Sequence, residues 1–337
     1  MLTTLHLRFD CEALTSLNLG GWRAGSNLRG ALGSVMRRAV CPETSRRRKP
    51  DPEHAAVCPA CWLLSAEVEP GDVRRAYALT PPLDGAAEYA PGARFNFALS
   101  LFGTGEQYLP YFVLAVAEIG RRGVGPGRGQ FALRRIDAAN PLTGERQTVL
   151  APGEQFVNVP TVRVCAADVF RAAEQALQEL DGRGRLGVQF LTPLRLISQG
   201  QLVKLPDFGV LAGRLIDRIE GLHRQFGGDW PEVDIPALRS QADGVRHISW
   251  EGEWIDTFSG SSRTGNRTPV GGLVGRAVYQ STEWPALLPW LLWGQAVQVG
   301  KDVVKGNGLY QVETPGMQPY WAWIAIDGEQ LSGNSGV

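Results

Sequence analysis

The apolar positions change period several times along the chain, and the changes come in an order that repeats. Leu5, Leu7 and Phe9 alternate with polar neighbours, the period-two pattern of a half-buried strand. Leu28, Ala31, Leu32, Val35, Met36 and Ala39 then fall at helical spacing, with Asn27 placed to cap the start. Strand-like stretches follow near 77–79 and 94–101. A second helix is predicted from Pro110 to about Gly120, with proline in its first turn. A glycine-rich turn, 120–129, leads into a strand at 131–136. The order is βαββαβ, the split βαβ pattern.

The second half repeats it. Residues 186–196 read as a strand. Residues 207–226 form an amphipathic helix whose apolar stripe is Phe208, Leu211, Leu215, Ile216, Ile219 and Leu222. Strands are predicted at 247–258 and 271–279, then a helix starting near Pro289, a glycine turn at 300–308 and a strand at 309–312. Leu109-Pro110-Tyr111-Phe112 before Gly120 parallels Leu288-Pro289-Trp290-Leu291 before Gly300. Gly127-Arg128-Gly129-Gln130-Phe131 parallels Gly306-Asn307-Gly308-Leu309-Tyr310. This predicts an α+β fold, a diverged tandem of ferredoxin-like (RRM-like) domains with a cysteine-containing insertion. The first domain is 1–155 with the insertion at 41–61, the connector 156–185, and the second domain 186–337. A connector helix is expected at 167–180, with Phe170, Ala173, Leu177 and Leu180 on one face. The tail, 331–337, is expected to fray.

Composition narrows the class. The 337 residues suit two domains, and 44% hydrophobic content is enough for their cores. Lys and Arg number 34 against 34 Asp and Glu, so affinity for nucleic acid must come from local patches. Residues 1–9 alternate like a strand and are not expected to be a secretory leader. The longest apolar run, around 111–117, is too short to span a bilayer. Five cysteines, an odd number, fit a reducing compartment, so a cytoplasmic protein without a membrane partner is expected.

Chemistry enters through the glycine turns. Both stand in helix–turn–strand order, whereas a dinucleotide fingerprint needs strand–turn–helix. No Walker A spacing is present. A helix cap followed by a tight turn would explain either one alone. Two in matching context, each carrying Arg or Lys, favour contact with an RNA backbone. Arg23, Arg29, Arg37, Arg38 and the run 46–49 add a basic stretch able to track phosphates, or simply a solvated loop. Cys41 and the Cys58-Pro59-Ala60-Cys61 knuckle suit a structural zinc, with His54 or Cys11 as candidate fourth ligand. Cys165 is expected in the core. Of the four histidines, His6 is expected at solvent or a groove, His223 at a helix C-terminus, and His247 at a strand start.

Together these elements resemble the CRISPR precursor-RNA processing endoribonucleases of the RAMP superfamily. The resemblance rests on Asn27-Leu28-Arg29-Gly30-Ala31-Leu32-Gly33 leading to Cys41, the Cys58–Cys61 knuckle, Leu101-Phe102-Gly103, and Tyr108-Leu109-Pro110-Tyr111. It continues through Leu191-Thr192-Pro193-Leu194-Arg195-Leu196, Gly271-Gly272-Leu273-Val274-Gly275 and the terminal glycine turn. It implies a protein that binds CRISPR repeat RNA and cuts it without a catalytic cofactor. The RNA's own 2′-hydroxyl would be the nucleophile, and the guide RNA would be kept for an effector complex. The alternative is a non-cleaving RNA-binding subunit of such a complex. RNA contacts are expected at Arg121, Arg122, Gly127, Arg128, Gly129, Arg263, Arg267, Gly300, Lys305, Gly306 and Gly308. Many relatives carry a histidine base in or near the first helix; residues 27–40 have none. His54 is therefore the candidate base, with Arg29 or Lys301 stabilising the phosphate. Val303 and Val304 stand where the family has hydroxyls, and the family's fourth cysteine after Cys61 is missing.

Overall fold

The periodicities place two antiparallel sheets, one in each half. The computed structural model describes residues 2–43, 51–65, 74–154, 156–228, 232–260, 267–314 and 316–324. The first half holds β1 (Thr4–Ala13), β2 (Leu17–Asn18), α1 (Ala24–Val40), α2 (Pro52–Val57), α3 (Pro59–Ser65), β3 (Tyr77–Thr80) and β4 (Glu88–Tyr89). It continues with β5 (Arg94–Phe102), α4 (Leu109–Arg122), β6 (Phe131–Asn140) and β7 (Glu145–Leu150). Its main sheet has the order β3-β5-β1-β6-β7, antiparallel throughout. The first four strands of that order are the split βαβ sheet expected from the sequence. β7 is an addition to that pattern, within the expected first domain; it closes a hairpin with β6 at the edge.

The second half holds α5 (Ala166–Glu179), β8 (Arg185–Leu194), β9 (Ile197–Ser198), β10 (Gln201–Leu202), α6 (Phe208–Phe226), α7 (Ile235–Asp243) and β11 (Arg246–Ile255). After it come β12 (Phe258–Gly260), β13 (Arg267–Pro269), β14 (Gly272–Gln280), α8 (Trp284–Val297) and β15 (Tyr310–Glu313). The sheet order is β11-β14-β8-β15, again antiparallel. The fold is thus the mixed, antiparallel ferredoxin-like kind.

Several local expectations are corrected. α1 begins at Ala24, so Asn27 is inside its first turn and not its cap; the Asn27 amide instead donates to the Leu19 carbonyl at 2.9 Å. α8 begins at Trp284 with Pro285 in its first turn, and Pro289 is interior. α8 tolerates this because packing outweighs one lost hydrogen bond: it is apolar on nearly every side and buried between the halves. It touches β1 and β5 of the first sheet as well as α5, α6, α7 and β15. In α5 the buried face is Val169, Ala172, Ala173 and Ala176, while Phe170 is exposed. Cys165 is not a core strand residue; it caps α5 and its thiol lies 3.2 Å from Asp168 Oδ2. The tail 331–337 lies outside the described residues.

His6 is also corrected. It is fully buried under a C-terminal strap, residues 320–324, that crosses the face of the first sheet opposite α1 and α4. Its Nδ1 lies 2.7 Å from Ser100 Oγ and its Nε2 2.8 Å from Tyr320 Oη. Arg8 and Asn96 donate to the carbonyls of Trp323 and Ile324. Desolvation lowers the His6 pKa to about 3, so the imidazole is neutral.

Candidate nucleic-acid interface

The C-terminal glycine turn is shaped by contacts with its own protein. Gly300, Gly306 and Gly308 have φ of 88°, 88° and 73°, and Asp302 shares that left-handed region at 65°. A Cβ on Gly308 would lie 1.7 Å from the Val299 carbonyl oxygen, and one on Gly300 would lie 2.7 Å from that of Arg195. These positions therefore require glycine for close packing. The amides of Lys301, Lys305, Gly306 and Gly308 donate to the carbonyls of Arg195, Asp302, Val303 and Pro193 at 2.7–3.1 Å. Gly306 and Gly308 thus do not offer the open amide cradle that the sequence suggested. Lys305 pairs with Asp302 at 2.8 Å and is mostly covered. Lys301 is exposed at the tip.

Two neighbours extend this turn. The first is α1: a Cβ on Gly25 would lie 2.0 Å from the Lys305 carbonyl oxygen, so helix and turn meet backbone to backbone. The second is the β12–β13 ribbon. Asn307 donates to the Val270 carbonyl at 2.6 Å, and Arg195 to that of Gly271 at 3.0 Å. Those two carbonyls lie at the base of the ribbon. On it, the Arg267 guanidinium stands 5.1 Å from the centre of the Phe258 ring. Lys204, just past β10, covers Trp254 of β11 at 3.3 Å. The segments around the turn thus carry four cations, Lys301, Arg195, Arg267 and Lys204, with the rings of Phe258 and Trp254 beneath two of them, and the Trp254 indole also donates to the Asp256 carboxylate at 2.9 Å. The sequence reading missed Arg195 and Lys204, because no period or motif links them to the turn. Arg263 lies outside the described residues.

The first glycine turn occupies a different place, at the C-terminus of α4. Gly125 and Gly129 approach the backbone of Asn18 and Leu17 and lock the turn onto β2. Gly127 has open space around it, and Arg128 adopts φ 53°. Arg121 and Arg122 both pair with Glu118 on α4. Hydrogen bonds from these two arginines hold the Glu118 carboxyl below its usual pKa. Between this turn and α1 runs a cleft of about 230 Å³, lined by Asn27, Ser34, Arg38, Arg122 and Arg128 among others. The α1 members recur every three or four residues, a helical face readable from spacing alone.

α1 is held at its other end by a cysteine–histidine cluster. Cys41 caps the helix. Its Sγ lies 3.5 Å from His54 Nε2 and 3.7 Å from Cys61 Sγ, and the ligand atoms of Cys41, His54, Cys58 and Cys61 all fall within 4.8 Å of one another. A tetrahedral zinc with Zn–S of ~2.3 Å and Zn–N of ~2.05 Å needs edges of about 3.8 and 3.5 Å, so these residues fit zinc. Desolvation, with the neighbouring thiols adding to it, pushes Cys61 up to about 12. A metal would remove that proton by coordination. Of the two candidates for a fourth ligand, His54 stands within the cluster, and Cys11, buried in β1, does not. Four protein ligands leave no open position, the pattern of a structural centre. The centre also braces the halves: Trp62 of α3 packs on Tyr108 and on Phe226 of α6. Arg29 reaches the Leu64 carbonyl at the end of α3 at 3.4 Å, which ties it to this insertion. The basic run 46–49 lies outside the described residues.

The remaining histidines are remote from the turns in role. His223 lies in the last turn of α6, as expected, and is buried there, and His247 is exposed on β11 with its ring 5.7 Å from Tyr279. Among the described residues no helix is long and apolar enough to cross a membrane.

Comparison with known proteins agrees with this fold. Residues 188–310 match the family model of the CRISPR-associated endoribonuclease Cas6, and residues 2–162 match a second model, the AF_1859_N N-terminal domain. No protein of curated function matches by sequence. Among solved structures, a Cas6 product complex superposes with a TM-score of 0.53 at 17% identity, over 91% of this chain and 98% of the other. Thermus thermophilus Cas6 gives 0.54 at 14% identity, over 93% and 99%. A partial Cas6-RT-Cas1–Cas2 complex gives 0.59 at 13% identity, over 93% of this chain and 46% of that one. At such identities the structural likeness establishes the fold.

Proposed function

We infer that this chain, a CRISPR repeat-processing protein of the RAMP type related to the endoribonuclease Cas6, binds repeat RNA at the cations around its C-terminal turn and cuts it beside α1. The observation that carries the reading is the seating of α1. Its first turn abuts the Lys305 carbonyl, and Cys41 anchors its last turn to the metal-ligand cluster. A helix fixed at both ends against a cationic turn is a rigid bed for a phosphodiester.

The reaction is transesterification. The 2′-oxygen attacks the adjacent phosphorus as its proton passes to solvent water, the 5′-oxygen leaves with a proton taken from solvent, and a cyclic phosphate remains. Lys301 is the exposed cation at the turn and the best placed to stabilise the phosphorane charge. Arg267 and Lys204 hold the strand by charge, and Trp254 and Phe258 give its bases apolar faces. Histidine acid–base catalysis contributes ~10²–10⁴-fold where it operates. Here His54 is a metal ligand and His6 is buried, so positioning and charge carry the rate and turnover is slow. The metal centre takes no part in the chemistry. Retained product and association with other CRISPR proteins complete the reading.

A second reading is favoured by the absence of histidine from α1: an RNA-binding subunit that does not cut. One experiment separates them. The chain in excess is incubated with its repeat RNA in a chelator weaker than the cysteine site. A product ending in a cyclic phosphate supports the nuclease. Tight binding without product supports the subunit, and no binding defeats both.

A further inference from the structure

The cleft between α1 and the first glycine turn uses Asn27, Ser34 and Arg38 of α1, not Gly25, where the C-terminal turn abuts the helix. Nothing in the reading above uses it. Its volume, about 230 Å³, is below the ~300–1,000 Å³ of small-molecule pockets, so it has room for a phosphate with its sugar and little more. Three of its lining side chains are arginines, Asn27 and Ser34 add polar groups, and no carboxylate lines it. Glu118 sits behind, sharing its charge with Arg121 and Arg122. Arg38 and Arg128 make no ion pair among the described residues. Both line the cleft unpaired, and the planar fork of each guanidinium suits phosphate oxygens.

The turn is built to hold them. Gly125 and Gly129 pack on β2 so closely that a Cβ would lie 1.9 Å from the Asn18 carbonyl oxygen or 2.5 Å from that of Ser16. Between them Arg128 keeps φ 53°, a conformation an arginine adopts at a cost and a glycine would adopt freely. Strain of this kind persists where its surroundings impose it, and it concentrates at functional sites. The open surround of Gly127 lets a ligand backbone approach the turn.

We propose that this cleft is a second phosphate site, in which Arg38, Arg122 and Arg128 grip one phosphate of the RNA away from the cut. The inference rests on the RNA-binding reading above but not on cleavage. A phosphate bound here anchors the strand on the far face of α1, so the helix is clasped by RNA as well as by protein.

The test uses the full chain and the variant Arg38→Gln with Arg128→Gly. Glycine removes the charge and relieves the positive φ, so the variant keeps its melting temperature. Binding of a twelve-residue oligouridine is measured by fluorescence anisotropy from 0.05 to 0.4 M NaCl, with and without a 5′-phosphate. Each lost phosphate contact flattens the log–log salt slope by ~0.7, so loss of this one phosphate should change it by about 0.7. By the same relation, affinity at 0.15 M salt falls roughly fourfold. Equal loss on both oligomers assigns an internal phosphate, and loss confined to the phosphorylated one assigns a terminal phosphate. An unchanged slope and affinity in the folded variant overturns the site, as does an unmodified chain that binds neither oligomer. The unmodified chain is assayed on repeat RNA in parallel. If it cuts nothing while the slope still falls in the variant, the nuclease reading fails and the phosphate site stands.

Discussion

Replacing Gly25 by alanine tests the seating of α1 directly. Alanine favours a helix over glycine by up to ~1 kcal/mol, and Gly25 has no positive φ to oppose it. Its Cβ, however, would lie 2.0 Å from the Lys305 carbonyl oxygen, 2.7 Å from that carbonyl carbon and 3.3 Å from Gly306 Cα. An ordinary contact starts near 3.4 Å, so helix and turn must separate by about 1.4 Å. Overpacking of this kind costs ~1–3 kcal/mol, which outweighs the propensity gain and leaves the variant ~1–2 kcal/mol less stable. Gly30 on the same helix is the control. Nothing lies within 4 Å of its Cβ position, so Gly30→Ala gains ~0.5–1 kcal/mol. Thermal melts should move by roughly 2–6 °C down for the first and 1–4 °C up for the second. An ångström of misplacement at a reacting centre costs up to ~10²-fold in rate, so RNA cleavage should fall only in Gly25→Ala. If both variants were stabilised alike, the backbone contact between α1 and the turn would be refuted.

Three further outcomes follow from other contacts. His54→Ala should abolish stoichiometric zinc, lower stability by several kcal/mol and loosen the end of α1; His54→Cys should restore metal content and stability. Failure of cysteine to restore them, with cleavage lost in both, would return His54 to the role of base. For His6 the folded pKa lies below its ordinary 6.5, so the unfolded chain binds more protons between the two values. Its contribution is whole above 6.5 and is lost as pH falls towards about 3, at up to ~1.4 kcal/mol per pH unit. Urea unfolding of the native chain should therefore weaken more between pH 7 and 5.5 than that of His6→Gln, and parallel curves would contradict the buried neutral imidazole. Lys301→Ala should weaken binding to all RNA sequences alike and flatten the salt slope by ~0.7; a sequence-dependent loss would show base contact instead.

Much of the architecture could be read from periodicity because each half alternates between strand and helix spacing over long stretches. Leu5, Leu7 and Phe9 and the stripe of α6 are buried as expected. What escaped were features fixed by contacts distant in sequence. Pro289 marked a helix start by local rule, yet tertiary burial of α8 carries the helix through it. His6 looked exposed because its polar pattern matched its neighbours, and only a strap more than three hundred positions away covers it. The glycine turns were visible as motifs, but their purpose was not. Gly300 and Gly308 serve carbonyl contacts within the turn's own surroundings, which composition cannot distinguish from a phosphate cradle. Cys41, Cys58 and Cys61 were legible by spacing, whereas the choice between His54 and Cys11 needed the fold, which brings His54 beside Cys41. The face of Asn27, Ser34 and Arg38 was readable as helical spacing, but not the turn that lies opposite it.

The central claim is that this chain cuts repeat RNA through the substrate's own 2′-hydroxyl. Single-turnover cleavage of a repeat RNA, compared with the same RNA carrying one 2′-deoxy sugar at the cut, tests it most directly. The account predicts slow cleavage of the first to a cyclic phosphate, with no imidazole inflection in its pH–rate profile, and none of the second. Equal cleavage of both, or cleavage of neither at enzyme excess with RNA demonstrably bound, would contradict it.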